Sequence, residues 1–129
     1  MKILLDTNFI LTCVKQKIDF DRLANEVLNE KIDWILPQEV LNELGNIKDK
    51  RGIKQADKDA AGVGFELLQK IENKPEVVEI GNNMGNIDIS IVNYIFGKDI
   101  ALATLDRGLK NRIDNKILTI RGKNSLELI

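Results

Sequence analysis

Short apolar runs alternate along this chain with stretches of helical periodicity, and that alternation limits the fold more than any other feature. Residues 2–5, 32–36, 76–80, 99–105 and 116–120 are strand-length and rich in Ile, Leu and Val. Between them, 7–14, 20–30, 38–48, 53–72, 87–97 and 107–114 place apolar residues at helical spacing. Such an order predicts an α/β domain with a parallel sheet covered on both faces. "GNNMGN" over 81–86 has the composition of a loop, Pro37 is expected at the first position of a helix, and the tail is expected to end in a short helical turn. No repeat, linker or low-complexity segment interrupts the pattern, so residues 1–129 are expected to form one domain.

Composition removes several kinds of chemistry. The chain contains no His, so Ser-His-Asp and Cys-His catalysis lack their base. With a single Cys there is neither an internal disulfide nor a structural zinc site of the usual kind. Cys13, beside Leu11 and Val14, reads as a small core residue, and an unpaired thiol fits a reducing, cytoplasmic setting. No apolar run approaches the roughly 20 residues of a membrane span. The net charge is −1, so any case for nucleic-acid binding must rest on local charge. Whatever metal this chain binds must be hard and oxygen-liganded, which suits Mg²⁺ or Mn²⁺.

The carboxylates that matter are those placed where burial is expected. Asp6 ends the first apolar run, and Asp106 ends the fourth in the same way, each just before a helical stretch. Either could be a helix cap. Projection at about 100° per residue locates two more. Ile91, Val92 and Ile95 bracket the direction of Asp88, which therefore points into the apolar face of its helix. Val40, Leu44 and Ile47 mark a buried stripe with Glu43 at its edge, whereas Glu39 projects away and reads as solvent-facing. Buried carboxylates close together resist joint ionisation, and a divalent cation resolves that conflict. "GVGFEL" over 62–67 lacks the last glycine of a dinucleotide fingerprint, and no phosphate-cradling GxxxxGK[ST] occurs. The paired early acids and late Lys of a phosphoacceptor receiver domain are missing as well.

With these four acids in place, the chain resembles the PIN-domain ribonucleases. The likeness runs through "LLDTNFIL", "LPQEVLNELGNI", "NIDISIVNYI", "ATLDRGLKNRI" and "ILTIRGKNSLEL". It implies a three-layer α-β-α domain with a parallel five-stranded sheet, and hydrolysis of single-stranded RNA with Mg²⁺ or Mn²⁺. Carried over, Asp6, Glu43, Asp88 and Asp106 would be the catalytic, metal-binding acids, with Asn8 and Thr104 supporting them. Leu105 departs from the polar residue that relatives often carry before the last Asp. Arg107, Lys110 and Arg112, followed by Lys116, Arg121 and Lys123, form a basic run opposed only by Asp114 and suited to RNA phosphates. Lys48, Lys50, Arg51 and Lys54 are interleaved with Asp49 and read as a solvated surface.

Two settings fit this resemblance: VapC toxins, held by an antitoxin, and PIN proteins that process small-subunit ribosomal RNA within pre-ribosomal particles. The opening "LLDTNF" and the tail lean toward the second. The toxin branch implies a homodimer, as do Phe65, Leu67, Leu68 and Ile71 on one long helix. The competing expectation is an inactive PIN-like scaffold that binds RNA or ribosomes without cutting.

Overall fold

The computed structural model describes residues 1–81 and 85–129; the Asn82–Met84 part of the expected loop lies outside the described residues. The chain runs β1 (Lys2–Leu5), α1 (Thr7–Lys15), α2 (Phe20–Leu28), β2 (Asp33–Pro37), α3 (Gln38–Asp49), α4 (Gln55–Lys70), β3 (Glu76–Val78), α5 (Ile87–Ile95), β4 (Ile100–Ala103), α6 (Arg107–Lys110), β5 (Ile117–Arg121) and β6 (Ser125–Leu128). The strands form one sheet in the order β3-β2-β1-β4-β5-β6. The first five are parallel, and β6 pairs antiparallel with β5.

The sheet therefore has six strands, and the tail is a strand where a helical turn was expected. Gly122 adopts φ +64, so residues 122–124 turn the chain back on itself and Arg121 faces Ser125 across the hairpin. Burial of Leu126 in the core then fixes the register of β6. Pro37 closes β2 and caps α3, one position earlier than its expected place inside the helix.

Alternation along the strands builds the two outer layers. Ile3 and Leu5 of β1, with Trp34, Leu36, Ala101 and Ala103, pack on the side covered by α1 to α4. Leu4, Ile35, Ile100 and Leu102 face the other way, against Ile91 and Ile95 of α5 and Leu109 of α6. Gly64 is explained by packing: a Cβ there would come within 3.1 Å of Ile10 Cγ2, so the "GVGFEL" glycine lets α4 approach α1. Leu68 is buried, while Phe65, Leu67 and Ile71 are half-buried against the same core.

Under α2, the Phe20 ring meets Trp34 edge-on, with centroids 5.1 Å apart, and Trp34 Nε1 donates to Asp21 Oδ1 at 2.7 Å. Trp34→Phe would remove that donor and leave a small void, so it should cost about 1–2 kcal/mol in denaturant unfolding. An unchanged midpoint would mean that the indole is not a fixed part of this core.

Candidate active site

β1 and β4 are neighbours at the middle of the sheet. From β1 the chain proceeds outward to β2 and β3, then crosses back to β4. Strand order reverses there, and the crevice beyond the carboxyl ends at such a switch point is where open α/β sheets bind ligands. Asp6 follows β1 directly, and Thr104 follows β4.

Asp6 caps α1 but is buried far beyond what capping requires, with 4% of its surface exposed. Its Oδ1 accepts from Thr7 N–H at 2.8 Å and its Oδ2 from the Thr104 hydroxyl at 2.8 Å. Its own N–H donates to Ala103 O at 3.1 Å, which fixes the residue to β4. Burial is the main force on the carboxyl and pushes its pKa from 3.8 up to about 6. The two hydrogen bonds pull against that rise, and the charges of Asp88 and Glu43 add to it.

Glu43 sits on α3 between the buried Val40 and Leu44 and is itself half-buried. Burial and the charge of Asp88 raise its pKa, against a smaller lowering by the nearby Thr7 hydroxyl. That hydroxyl is buried, and among the described residues no group other than Glu43 acts as its partner. Asp88 lies in the first turn of α5, where the Asn86 side chain caps the helix by accepting from Asp88 N–H at 2.9 Å. Its pKa is raised by burial first and then by Asp106, while Arg112 holds it down. Asp106 caps α6 through Gly108 N–H at 2.8 Å, and its own N–H donates to Thr104 Oγ1 at 3.1 Å. Thr104, fully buried, thus ties the β1 acid to the β4 acid.

Asp6 therefore feels the charges of Asp88 and Glu43, Glu43 that of Asp88, and Asp88 that of Asp106, while among the described residues Arg112 is the cation that lowers the Asp88 pKa. Among the described residues none of the four forms an ion pair, and no three Asp, Glu, His or Cys side chains converge on a single metal position. Asn8 is exposed, and Asp6 takes its two side-chain hydrogen bonds from other residues. Arg107 is exposed, and Lys110 Nζ donates to Thr119 Oγ1 at 3.2 Å. Glu39 is not solvent-facing. It is half-buried, and its Oε1 accepts from Ile80 N–H at 3.2 Å. Helical projection missed this because the donor arrives from a distant part of the chain. Thr7 and Asn86 were also missed as site-forming residues, although Asn ahead of an apolar helix is a readable cap signal.

The sequence profile of the PIN-like domain matches residues 3–123. The chain belongs to that family. Ribonuclease VapC4 of Methanocaldococcus jannaschii is 30% identical over 131 residues, spanning 98% of this chain and 95% of the relative. Among solved structures, the PIN domain endonuclease Utp24 superposes with a TM-score of 0.77 at 24% identity, covering 98% of this chain and 90% of that one. VapBC2 from Rickettsia felis, bound to a DNA fragment from its promoter, gives a TM-score of 0.63 at 14% identity, covering 94% and 100%. At those identities the two structures speak to the fold alone. Two of these names, Ribonuclease VapC4 and the endonuclease Utp24, are those of nucleases, and the four acids stand on a PIN-like scaffold.

Proposed function

We propose that this PIN-like domain is a divalent-metal-dependent endoribonuclease that hydrolyses single-stranded RNA at the rim formed by Asp6, Glu43, Asp88 and Asp106. The observation that carries the reading is Asp6, a buried carboxylate whose pKa is raised by burial and by the charges of Asp88 and Glu43, with no cation paired to it among the described residues. A scaffold has no use for such an arrangement, since burial already makes these acids costly to ionise.

The donor set fits a hard cation, because every group is a carboxylate oxygen and the buried Asp6 carboxyl has no cation beside it among the described residues. The carboxylates are spread rather than converged, which suits Mg²⁺ or Mn²⁺ held through one or two acids with water completing the shell. When bound, such an ion supplies charge neutralisation at the phosphate and activation of the attacking water. Asp6 is held rigid by Thr7 N–H and Thr104, so its charge has a fixed position. Glu43 comes from α3 on one face of the sheet and Asp88 from α5 on the other, while Asp106 follows β4. Arg107, Lys110 and Arg112 lie on the segment after Asp106, where phosphates of the entering strand would pass. Glu39, engaged with Ile80, has no part in this scheme.

The identity to Ribonuclease VapC4 favours a toxin-type setting with an antitoxin partner, whereas the pre-ribosomal setting draws support only from fold likeness. Cleavage of single-stranded RNA should appear with Mg²⁺ or Mn²⁺ and vanish in excess chelator, with duplex RNA of the same sequence resistant. RNA that binds but stays intact with either ion would leave the scaffold reading. Mapping new RNA 5′ ends in cells with wild type or an inactive variant would then separate the two settings.

A further inference from the structure

Phe96 is 80% exposed, yet the loop that carries it is firmly held. Asn115 Nδ2 donates to the carbonyls of Ile95, Lys98 and Ile100 at 3.0, 3.0 and 2.8 Å, and Lys98 N–H closes a turn onto Ile95 O at 3.0 Å. The phenyl ring is thus presented to solvent by a pinned turn. It borders a groove of about 660 Å³ at the amino ends of β1, β4 and β5, on the opposite rim from the acids. Lys2, Lys98, Arg112 and Lys116 line that groove. Of the acids there, Glu30 is paired with the Met1 ammonium at 2.9 Å, which leaves Asp99 and Asp114 against four cationic side chains.

Resting on the endoribonuclease reading above, we propose that this groove is a second contact surface for the single-stranded RNA substrate, where a base stacks on Phe96 and Lys98, Arg112 and Lys116 hold the adjoining phosphates. An exposed aromatic flanked by cations is the arrangement that grips single strands without reading sequence. Among the described residues, Phe96 is the one large exposed apolar side chain beside this groove, with Val92 and Ile113 half-buried behind it, far short of the roughly 800 Å² that each partner gives to a stable protein interface. The acid rim and the groove are also connected. Asp88 begins α5 and Phe96 follows its last residue, about 12 Å further along the helix axis. Arg112 lies at the junction, lining the groove while its charge reaches Asp88. A strand engaged at the acids therefore continues along α5 into the groove.

Phe96→Trp provides a stacking probe that is independent of cleavage, with buried Trp34 as a constant background. In chelator, its fluorescence should be quenched by a single-stranded oligoribonucleotide and not by the matching duplex. Phe96→Ala should bind that strand roughly tenfold more weakly, the loss typical of one stacked base. It should raise KM on long RNA with kcat unchanged, and leave unchanged the cleavage of RNA too short to reach from the acids to Phe96. Lys116→Gln should lower the salt slope of binding by about one. Quenching in a wild-type background that never cleaves would uphold the surface and sink the nuclease reading. Wild-type affinity and KM in Phe96→Ala, with or without a change of oligomeric state by light scattering, would overturn the surface.

Discussion

Asp6→Asn should abolish metal-dependent RNA cleavage while making the metal-free protein more stable at pH 8. The amide keeps the shape and still accepts Thr7 N–H as an N-cap, since Asn and Asp rank together there. What it loses is the charge that would hold the cation. Activity should therefore fall by more than the roughly 100-fold typical of residues that only support a metal ligand. The stability gain follows from the pKa. Asp6 has its pKa raised from 3.8 to about 6, so between those values the folded protein keeps a proton that the unfolded chain has released. Metal-free wild type accordingly loses stability as pH rises through that window, by roughly 3 kcal/mol for this residue alone. Replacing a neutral carboxyl by an amide beside Thr104 costs about 1 kcal/mol. The variant should thus be more stable by about 2 kcal/mol at pH 8, and slightly less stable than wild type below pH ~4. Urea unfolding at both pH values in chelator checks the crossing, and a constant difference across pH would assign Asp6 to capping alone.

Much of this site could be read in the sequence because local periodicity places it. The runs before Asp6 and Asp106 are strands buried on both faces, so the residues that follow them must emerge at the same sheet rim. Asp88 in the first turn of α5 is half-buried, in line with its helical spacing to Ile91 and Ile95, although Ser90, on the other side of that projection, is buried as well. The rest depends on contacts between distant segments, which periodicity does not encode. Glu39 lies off the apolar stripe of α3, yet the backbone of Ile80 comes to meet it. Arg112 reads as one cation in a basic run, and only the packing of α5 against the segment after α6 brings its charge to Asp88. β6 was missed because a four-residue strand with one buried Leu has too short an alternation to distinguish from a turn, and its identity comes from pairing with β5. The apolar residues of α4 show the same limit. Phe65 and Ile71 look surplus on a single helix until α1 and α3 are packed against it.

Thr104→Val should shift the acid limb of the cleavage profile to higher pH, and Thr104→Ser should restore it. Valine nearly matches the shape of threonine, so the fully buried position stays filled. The lost hydroxyl serves two partners at once, donating to Asp6 Oδ2 and accepting from Asp106 N–H. Without it, Asp6 loses the stronger of the two hydrogen bonds that hold its pKa down against burial, so that pKa must rise above about 6. Cation binding requires the ionised carboxylate and hence becomes weaker at any given pH near neutrality. The expected loss is about 10–100-fold in activity at pH 7, recovering in part as pH rises. At pH 8 the metal-free variant should also be destabilised by about 2 kcal/mol, because a buried ionised oxygen is left without its donor. That deficit should shrink at pH 5, where Asp6 is mostly protonated in the folded state. Serine keeps the hydroxyl and loses only a methyl group, so it should cost about 1 kcal/mol at every pH and leave the acid limb in place. Matching acid limbs in the Val and Ser variants would reduce Thr104 to a packing residue, whereas a limb displaced in Val alone identifies it as the residue that keeps Asp6 ionisable.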